Sequence, residues 1–585
     1  MKRSSLALPL FVTASMLAGS AHASAPGQSP SAPRLAGTLA LGPAITVDLA
    51  LSDVSDFGGA QTVADLPGPD GRVSLREAVT AANNTVGPQT IVFAIPLSEW
   101  GTIYTDRAII RLENHVYVSD DETTLDFTTQ TSFTGNTNLS GGEVGVMYAG
   151  PPAGIPHIWI AADDCTVKGL DVGFGNNFGN TIWITGNHNR VIGCTTTSLT
   201  IRGDYGGGAF NVIGGTTIAE GNRFSDSCDI LSHANDNVVI GNTFGWGLRI
   251  SGDTFWGPCE RNRIGGPTAS ERNVIAGKGL YGEEGLPLGV QLEIFHAQDT
   301  LVEGNFVGTR KEGMAPAQGR SGVGGIVIGI GANGTTVRGN VVSGIAMDGI
   351  DHYQGQRFGT GIAVVASAQS TTIVGNKIGV GADGEFPVPN YQGVVVQSDP
   401  NGVPNAVLLG GAAPADANIV AHNEREGVRV ANTASGVTIS RNSIHDNGTL
   451  GIDLVGLSGV GVTGNDPLDG DGGANELQNF PVLSAVQTSS AMGLLSSTPN
   501  ETFTIELYSS PACDASGFGE GEQFVGATTV TTSASGIAAF SVALATPIAA
   551  GSVITATATS ASGSTSEFSP CGVVMAMPGI RPIRR

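Results

Sequence analysis

Basic residues are scarce in this chain: 28 Lys and Arg stand against 51 Asp and Glu in 585 residues, a formal net charge of −23. Nucleic-acid affinity rests largely on cations that neutralise phosphates, so a surface this acidic is not expected to bind nucleic acid. An anionic polysaccharide would need a local basic cleft or a bridging metal. Long apolar runs are lacking too. Beyond the first 23 residues nothing reaches the length of a membrane span, and the mature chain is expected to have no transmembrane segment. No Cys-x-x-Cys pair or His-rich tract is present to hold a transition metal. Aromatics are few and glycines number 86, a balance that elsewhere means low complexity. Here the glycines fall at fixed places beside Val, Ile and Thr, as turn punctuation does.

What the chain has in abundance is a phrase: TIAEGN ending at Asn222, VVIGN at Asn242, LVEGN at Asn305, TVRGN at Asn340, TIVGN at Asn376 and TISRN at Asn442. Self-similarity at this spacing is the mark of a stacked-repeat architecture. Each unit reads as a Gly followed by alternating apolar residues, then a second short strand ending in Asn. Gly427-Val-Arg-Val, Val437-Thr-Ile-Ser-Arg-Asn442 and Gly451-Ile-Asp-Leu454 give the cleanest example, and the step from Gly427 to Gly451 is one coil. Strands this short cannot bury an apolar face alone, but wound into a coil they pair in parallel with their equivalents about 4.8 Å above and below. Val428 and Val430 should then point in and Arg429 out. The repeated Asn is expected at a turn, stacked on the Asn of the next coil.

A stack of strands needs covers for its raw edges. At the front, Ser74 and Glu77 form a capping-box pattern for a helix with Leu75, Ala78, Val79 and Ala82 on one face. At the back, alternating segments from Phe503 to Thr559 read as an antiparallel sandwich. The expected organisation is therefore an all-β chain, a parallel β-helix with an N-terminal capping helix and a C-terminal sandwich. Residues 1–23 read as a secretory signal and 24–44 as a flexible leader. The cap follows at 45–89, the β-helix at 90–463, a linker at 464–479, an Ig-like sandwich at 480–574 and a disordered tail at 575–585. Six cysteines in an exported chain permit disulfides. Cys513 and Cys571, near the two ends of the sandwich, are the expected pair. Cys165, Cys194, Cys228 and Cys259 allow three pairings or none.

Val73-Ser-Leu-Arg-Glu-Ala78, Asn273-Val-Ile-Ala-Gly277, Gly451-Ile-Asp-Leu454, Asn479-Phe-Pro-Val482 and Thr565-Ser-Glu-Phe-Ser-Pro-Cys571 carry a family likeness. They resemble secreted bacterial right-handed parallel β-helix proteins of the pectate-lyase-like fold that open with a CSLREA segment, whose first Cys is absent here. The resemblance implies a right-handed coil and export. That family includes adhesin-like surface proteins and relatives of polysaccharide lyases, so it does not fix an activity.

Chemistry on a β-helix sits where outward side chains of adjacent coils form a groove. Lining up the Gly-led strands places His233, Arg249 and Glu293 in neighbouring coils as a base, a cation and an acid. Asp229, Asp253 and Gln291 lie beside them as binding candidates, while Val327, Ala363 and Val395 continue the row without chemistry. Asp351, His352 and Arg357 form a second acid, His and Arg group. Trp159 and Trp183 are expected to stack between coils. Asp469, Asp471 and Asn475 alternate as in a calcium loop, though no EF-hand Glu closes it. The sequence therefore points to an extracellular or cell-surface monomer that touches polysaccharide or cell-surface glycan. It requires no cofactor, with Ca²⁺ the one ion its loops suit. A polysaccharide lyase or glycoside hydrolase and a structural spacer are the alternatives.

Overall fold

In the computed structural model the described residues are 44–575 except 102–104, 140, 149–155, 173–180, 277–288, 318–323, 346–358, 457–458 and 545, and all counts below are of these. The signal segment, nearly all of the leader and nearly all of the tail lie outside them. The described chain is a right-handed parallel β-helix. Its strands fall into three long parallel sheets of thirteen, nine and twelve strands. Each full coil contributes one strand to each sheet. The last coil shows the path: Val437–Ser440 in the thirteen-stranded sheet, Ser443–His445 in the nine-stranded sheet and Ile452–Val455 in the twelve-stranded sheet. The two-strand unit expected from sequence is thus corrected to three. The middle strand is only two or three residues long, too short to show alternation.

Pairing of Val428 with Ile452 fixes the coil step read from Gly427 and Gly451. Val428 and Val430 are fully buried, while Arg429 on the strand between them is not. In the thirteen-stranded sheet one inward column runs in register from Ile91 through Val191, Val239 and Val302 to Ile439, and each of these side chains is shielded from water. Each such side chain contributes about 1.5–3 kcal/mol of burial. The leading glycines have a steric cause: a Cβ on Gly325, Gly361, Gly393 or Gly427 would lie 2.3–2.8 Å from the carbonyl oxygen of the next glycine in the column.

The corners are held by asparagines. Asn222, Asn242, Asn273, Asn305, Asn340, Asn376, Asn418 and Asn442 form one ladder, in which each Oδ1 accepts the backbone N–H of the preceding Asn. Each Nδ2 also donates to the next Oδ1. A second ladder, Asn189–Asn211–Asn237–Asn262, lines the corner before the thirteen-stranded sheet. A third, Asn390–Asn423–Asn447, lines the corner before the twelve-stranded sheet.

At the front, Ser74 caps the helix Leu75–Asn83 as expected, and the Glu77 carboxylate accepts from the backbone of Ser74 and Asp56. Leu75, Ala78, Val79 and Ala82 are buried. One boundary is corrected: Ala44–Val47 already forms a rung paired with Thr90–Phe93, so the sheet starts before the capping helix. Ile45 and Val47 point inward and require it.

At the back, two antiparallel sheets built from 482–496 with 537–543, and from 502–531 with 553–573, sit on the last coil. Their side chains take its orphan N–H groups. Leu454 N and Thr463 N donate to Glu567, Asn447 N and Nδ2 donate to Glu520, and Arg441 N donates to Glu506. Cys513 and Cys571 form the expected disulfide, and Cys165, Cys194, Cys228 and Cys259 are all free and buried.

Burial pushes both Glu520 and Glu567 up to about 8 from an ordinary 4.5, opposed by the N–H groups they accept. The folded chain therefore keeps their protons where the unfolded chain has lost them. Their contribution to stability is complete below about pH 4.5 and lost as pH rises through about 8. The urea midpoint is expected to be lower at pH 9 than at pH 7, and a Glu520→Gln, Glu567→Gln double variant to remove the difference. A wild-type midpoint that does not fall would refute this assignment. For the ladder, Asn305→Ala strips the acceptor from buried Asn273 N and Nδ2 and is expected to cost about 2–4 kcal/mol in urea unfolding. A loss under about 0.5 kcal/mol would mean that the ladder is not a structural element.

Candidate functional site

On the twelve-stranded sheet, inward residues alternate with one outward column. Register carries that column from Tyr117 through Trp159, Trp183 and Thr200 to Asp229, Arg249 and Glu293. It continues through Val327, Ala363 and Val395 to Arg429 and Asp453. Arg249 and Glu293 thus stand on adjacent coils, as the sequence suggested. The third member is Asp229, not His233. The strand ends at Leu231, and Ser232 and His233 turn the chain with positive φ. His233 Nδ1 lies 3.3 Å from Pro258 O and its Nε2 lies 3.5 Å from Asn235 Nδ2, at the corner beyond the sheet. The strand Ser227–Leu231 lacks the leading Gly that marks the register of its neighbours, and reading the row to His233 is four residues out. The usable signal was period 2: Cys228 and Ile230 are inward, so Asp229 between them belongs to the outward face.

Arg249 Nε donates to Asp229 Oδ1 at 3.2 Å, and Ser227 Oγ donates to Asp229 Oδ2 at 3.3 Å. Asp229 and Glu293 are each 8% exposed although both lie on the outward column. Burial raises the pKa of both, and Arg249 pulls both back. Glu293 also feels the negative charge of Asp229. Asp226 is raised for the same two reasons, burial and then the charge of Asp229. The row is an acid, a cation and an acid, with its charges partly neutralised by proximity.

The other expected residues divide. Asp253 is spent on its own turn, its Oδ1 accepting Phe255 N at 2.8 Å and Trp256 N at 2.5 Å, and that turn carries both aromatic rings into solvent. Gln291 is fully buried, which removes it from any surface contact. Asp351, His352 and Arg357 lie outside the described residues. Near the sandwich, Asp466, Asp469 and Asp471 bring carboxylate oxygens within 4.8 Å of one another, a group that could coordinate a divalent cation. Asn475 does not join them: its Oδ1 accepts Val437 N and its Nδ2 donates to Val437 O and Thr565 O, so it covers the edge of the last coil instead. Burial, with the charges of Asp466 and Asp471, lifts Asp469 to about 6 against hydrogen bonds from Ser497 and Asn479.

Trp159 and Trp183 do meet, edge to face at 5.6 Å. Tyr117 and Tyr205 join them, a cluster that no strand pattern marks because Tyr205 follows its strand in a turn. At the other end of the column Asp453 is 1% exposed and pushed up to about 6, by burial first and then by the charge of Glu426.

No family model matches the chain, and no curated protein matches it. Solved structures with a similar layout include full-length tailspike protein 2 of the Escherichia coli O157:H7 bacteriophage CAB120, at 11% identity and a TM-score of 0.29, covering 83% of this chain and 62% of that one. The Dettilon tailspike protein matches at 11% identity and a TM-score of 0.31, over 80% of this chain and 89% of that one. The tailspike protein of E. coli bacteriophage HK620, solved with a pentasaccharide, matches at 10% identity and 0.31, over 84% and 90%. The chain spans less than two thirds of the first of these, and likeness this weak says nothing about activity.

Arg249 is the counter-charge that lets two shielded carboxylates ionise. Arg249→Gln is expected to cost about 1–3 kcal/mol near pH 8, since Arg249 is itself part-exposed. The penalty should shrink at about pH 4, where carboxyls with raised pKa values carry more protons than ordinary ones and rely less on the Arg249 charge. Equal penalties at both pH values would show that the row is not electrostatically coupled.

Proposed function

We propose that this is an exported protein that engages extracellular glycan along the outer face of its twelve-stranded sheet. The observation that carries the reading is the in-register row of Asp229, Arg249 and Glu293 on an outward column. Polar groups fixed on a rigid sheet suit the many hydroxyls of an extended sugar chain better than a small ligand, which calls for a concave, mostly apolar pocket. Export is supported by the signal-like first 23 residues and by the Cys513–Cys571 disulfide, which persists in oxidising compartments.

Within that reading, hydrolysis is favoured over elimination by the identity of the row. It offers two carboxylates on either side of a cation, and no His. Their strands are two steps apart, about 9.6 Å, which favours the wider separation of an inverting pair, with a sugar and a water between acid and base, over the roughly 5 Å of a retaining pair. Protonated Glu293 would donate to the glycosidic oxygen while ionised Asp229 takes the proton from the attacking water. Arg249 would hold Asp229 ionised.

Purified protein should be tested against neutral and uronate-containing polysaccharides, with binding, new reducing ends and unsaturated products each measured. Binding to at least one glycan that Arg249→Gln weakens is expected. Turnover that Asp229→Asn abolishes while binding persists supports the hydrolytic reading, and unsaturated products would replace it with a lyase. If no glycan binds at millimolar sugar, the structural spacer is left. A calcium site at Asp466, Asp469 and Asp471 is a separate expectation: calcium should raise the thermal midpoint of wild type but not of Asp469→Asn. No rise in wild type rejects the site.

A further inference from the structure

Toward the N-terminal end of the same outward column, three successive rungs are aromatic: Tyr117, Trp159 and Trp183. Tyr205, from the turn after the next strand, completes the group. Trp159 is its centre, with Tyr117 at 5.4 Å, Trp183 at 5.6 Å and Tyr205 at 5.5 Å, all edge to face with interplanar angles of 72–86°. An edge-to-face contact fixes ring orientation and leaves both faces of the ring that offers its edge clear of that neighbour, whereas parallel stacking between rungs would hide a face of each. Tyr117 remains 43% exposed and Tyr205 54%. Trp159 Nε1 donates to Thr185 Oγ1 at 2.9 Å, so the ring is held in place and its polar edge is already satisfied.

The electrostatics of this surface select its occupant. Arg202 lies over the rings of Trp183 and Tyr205 at 5.2 and 5.4 Å, but its guanidinium is paired with Asp204. Arg76, near Tyr117, is paired with Asp53. His115, which touches Tyr117 and Trp159, has its pKa lowered by burial and then by Arg76, so it is uncharged at neutral pH. Arg202 takes one face of Trp183 and of Tyr205, and the ring surface left open, on Tyr117 and Tyr205 above all, lies beside cations that are already paired, a poor seat for a uronate and a good one for the C–H face of a neutral sugar. A cleft of about 270 Å³ opens where the row meets the capping helix, between Arg76, Asn83, His115 and Tyr117. In the other direction Thr200 is the single rung between Trp183 and Asp229.

We propose that Tyr117, Trp159, Trp183 and Tyr205 form a stacking platform for uncharged pyranose units of a glycan whose chain continues over Asp229, Arg249 and Glu293. The proposal rests on the glycan reading above and adds where the sugar lies and that it is neutral there. From Tyr117 to Glu293 the track is six strand steps, roughly 29 Å, so the ligand is an oligosaccharide of several units.

The full chain is titrated with hexamers of β-linked glucose, mannose and xylose and with hexagalacturonate, following tryptophan emission and, independently, calorimetric heat. At least one neutral hexamer is expected to bind and shift the emission, with Trp159→Ala and Tyr205→Ala each weakening it about tenfold, as loss of an aromatic stacking contact implies. Phe386→Ala, at an exposed aromatic in a later coil, should leave binding unchanged. Tyr205 is the safer variant because it sits exposed in a turn, and circular dichroism checks that both fold. If a hexamer binds wild type but neither variant weakens it, the platform is wrong while the glycan reading survives. Preference for hexagalacturonate overturns the neutral assignment, and no binding by any hexamer overturns both.

Discussion

Along three ladders the corners of the coils bury backbone N–H groups that no strand partner reaches, and the fold depends on giving them an acceptor. Asparagine does this with one side chain: Oδ1 takes the N–H of the coil before, while Nδ2 reaches both the next Oδ1 and a strand carbonyl, as Asn305 does to Asn340 and Ile264. Leaving such a group unpaired costs about 1–3 kcal/mol, which is why the residue recurs from coil to coil along each of the three ladders. The ladder also explains two of the free cysteines. Cys194 N donates to Asn222 and Cys165 N donates to Asn189, so each is the rung at which a ladder begins. Its thiol fills the space where no further amide is needed, and burial drives it up to about 12, far from reactive thiolate chemistry.

A ladder that hands each unmet N–H to its neighbour must end on something that is not asparagine. The back of the molecule meets that need with carboxyl groups of the sandwich, and covers the neighbouring strand edge with Asn475 of the linker. Glu520 accepts from Asn447 at the end of the third ladder, Glu567 takes the last strand of the twelve-stranded sheet, and Asn475 takes the last strand of the thirteen-stranded one. The sandwich is therefore a lid whose polar side chains are matched to the coil beneath it.

How far the sequence could be read follows from which signals are periodic. Six asparagines of the first ladder share the strand phrase and were legible. Asn273 and Asn418 do not read as rungs, because no Val, Ile or Leu stands in the four positions before either of them, unlike the six that share the phrase. The second ladder escaped because its steps of 22, 26 and 25 residues follow no fixed phrase. The capping helix was legible from Ser74 and Glu77, since both ends of that interaction lie within one turn. The outward row is legible only where a leading Gly marks the register: Arg249 and Glu293 align correctly, but the strand Ser227–Leu231 has no such Gly, and so Asp229 is not picked out as the residue that completes the row. Asn475 resembled a metal ligand because a calcium loop and an edge cap both want a carbonyl oxygen on a tight Gly-rich turn.

The same periodicity explains why chemistry concentrates in one column. Inward positions are fixed by the shared core, and the corners by the ladders and by close backbone approach at glycines such as Gly393. Outward strand positions alone are free to differ from coil to coil. Along this column the residues change in blocks, aromatic from Tyr117 to Trp183, charged from Asp229 to Glu293 and apolar from Val327 to Val395. Strand hydrogen bonds hold each step near 4.8 Å, so the blocks cannot slide to meet a ligand. A partner that uses more than one of them must itself be extended along the helix axis and vary in chemistry along its length, which a polymer of sugars does and a compact metabolite does not.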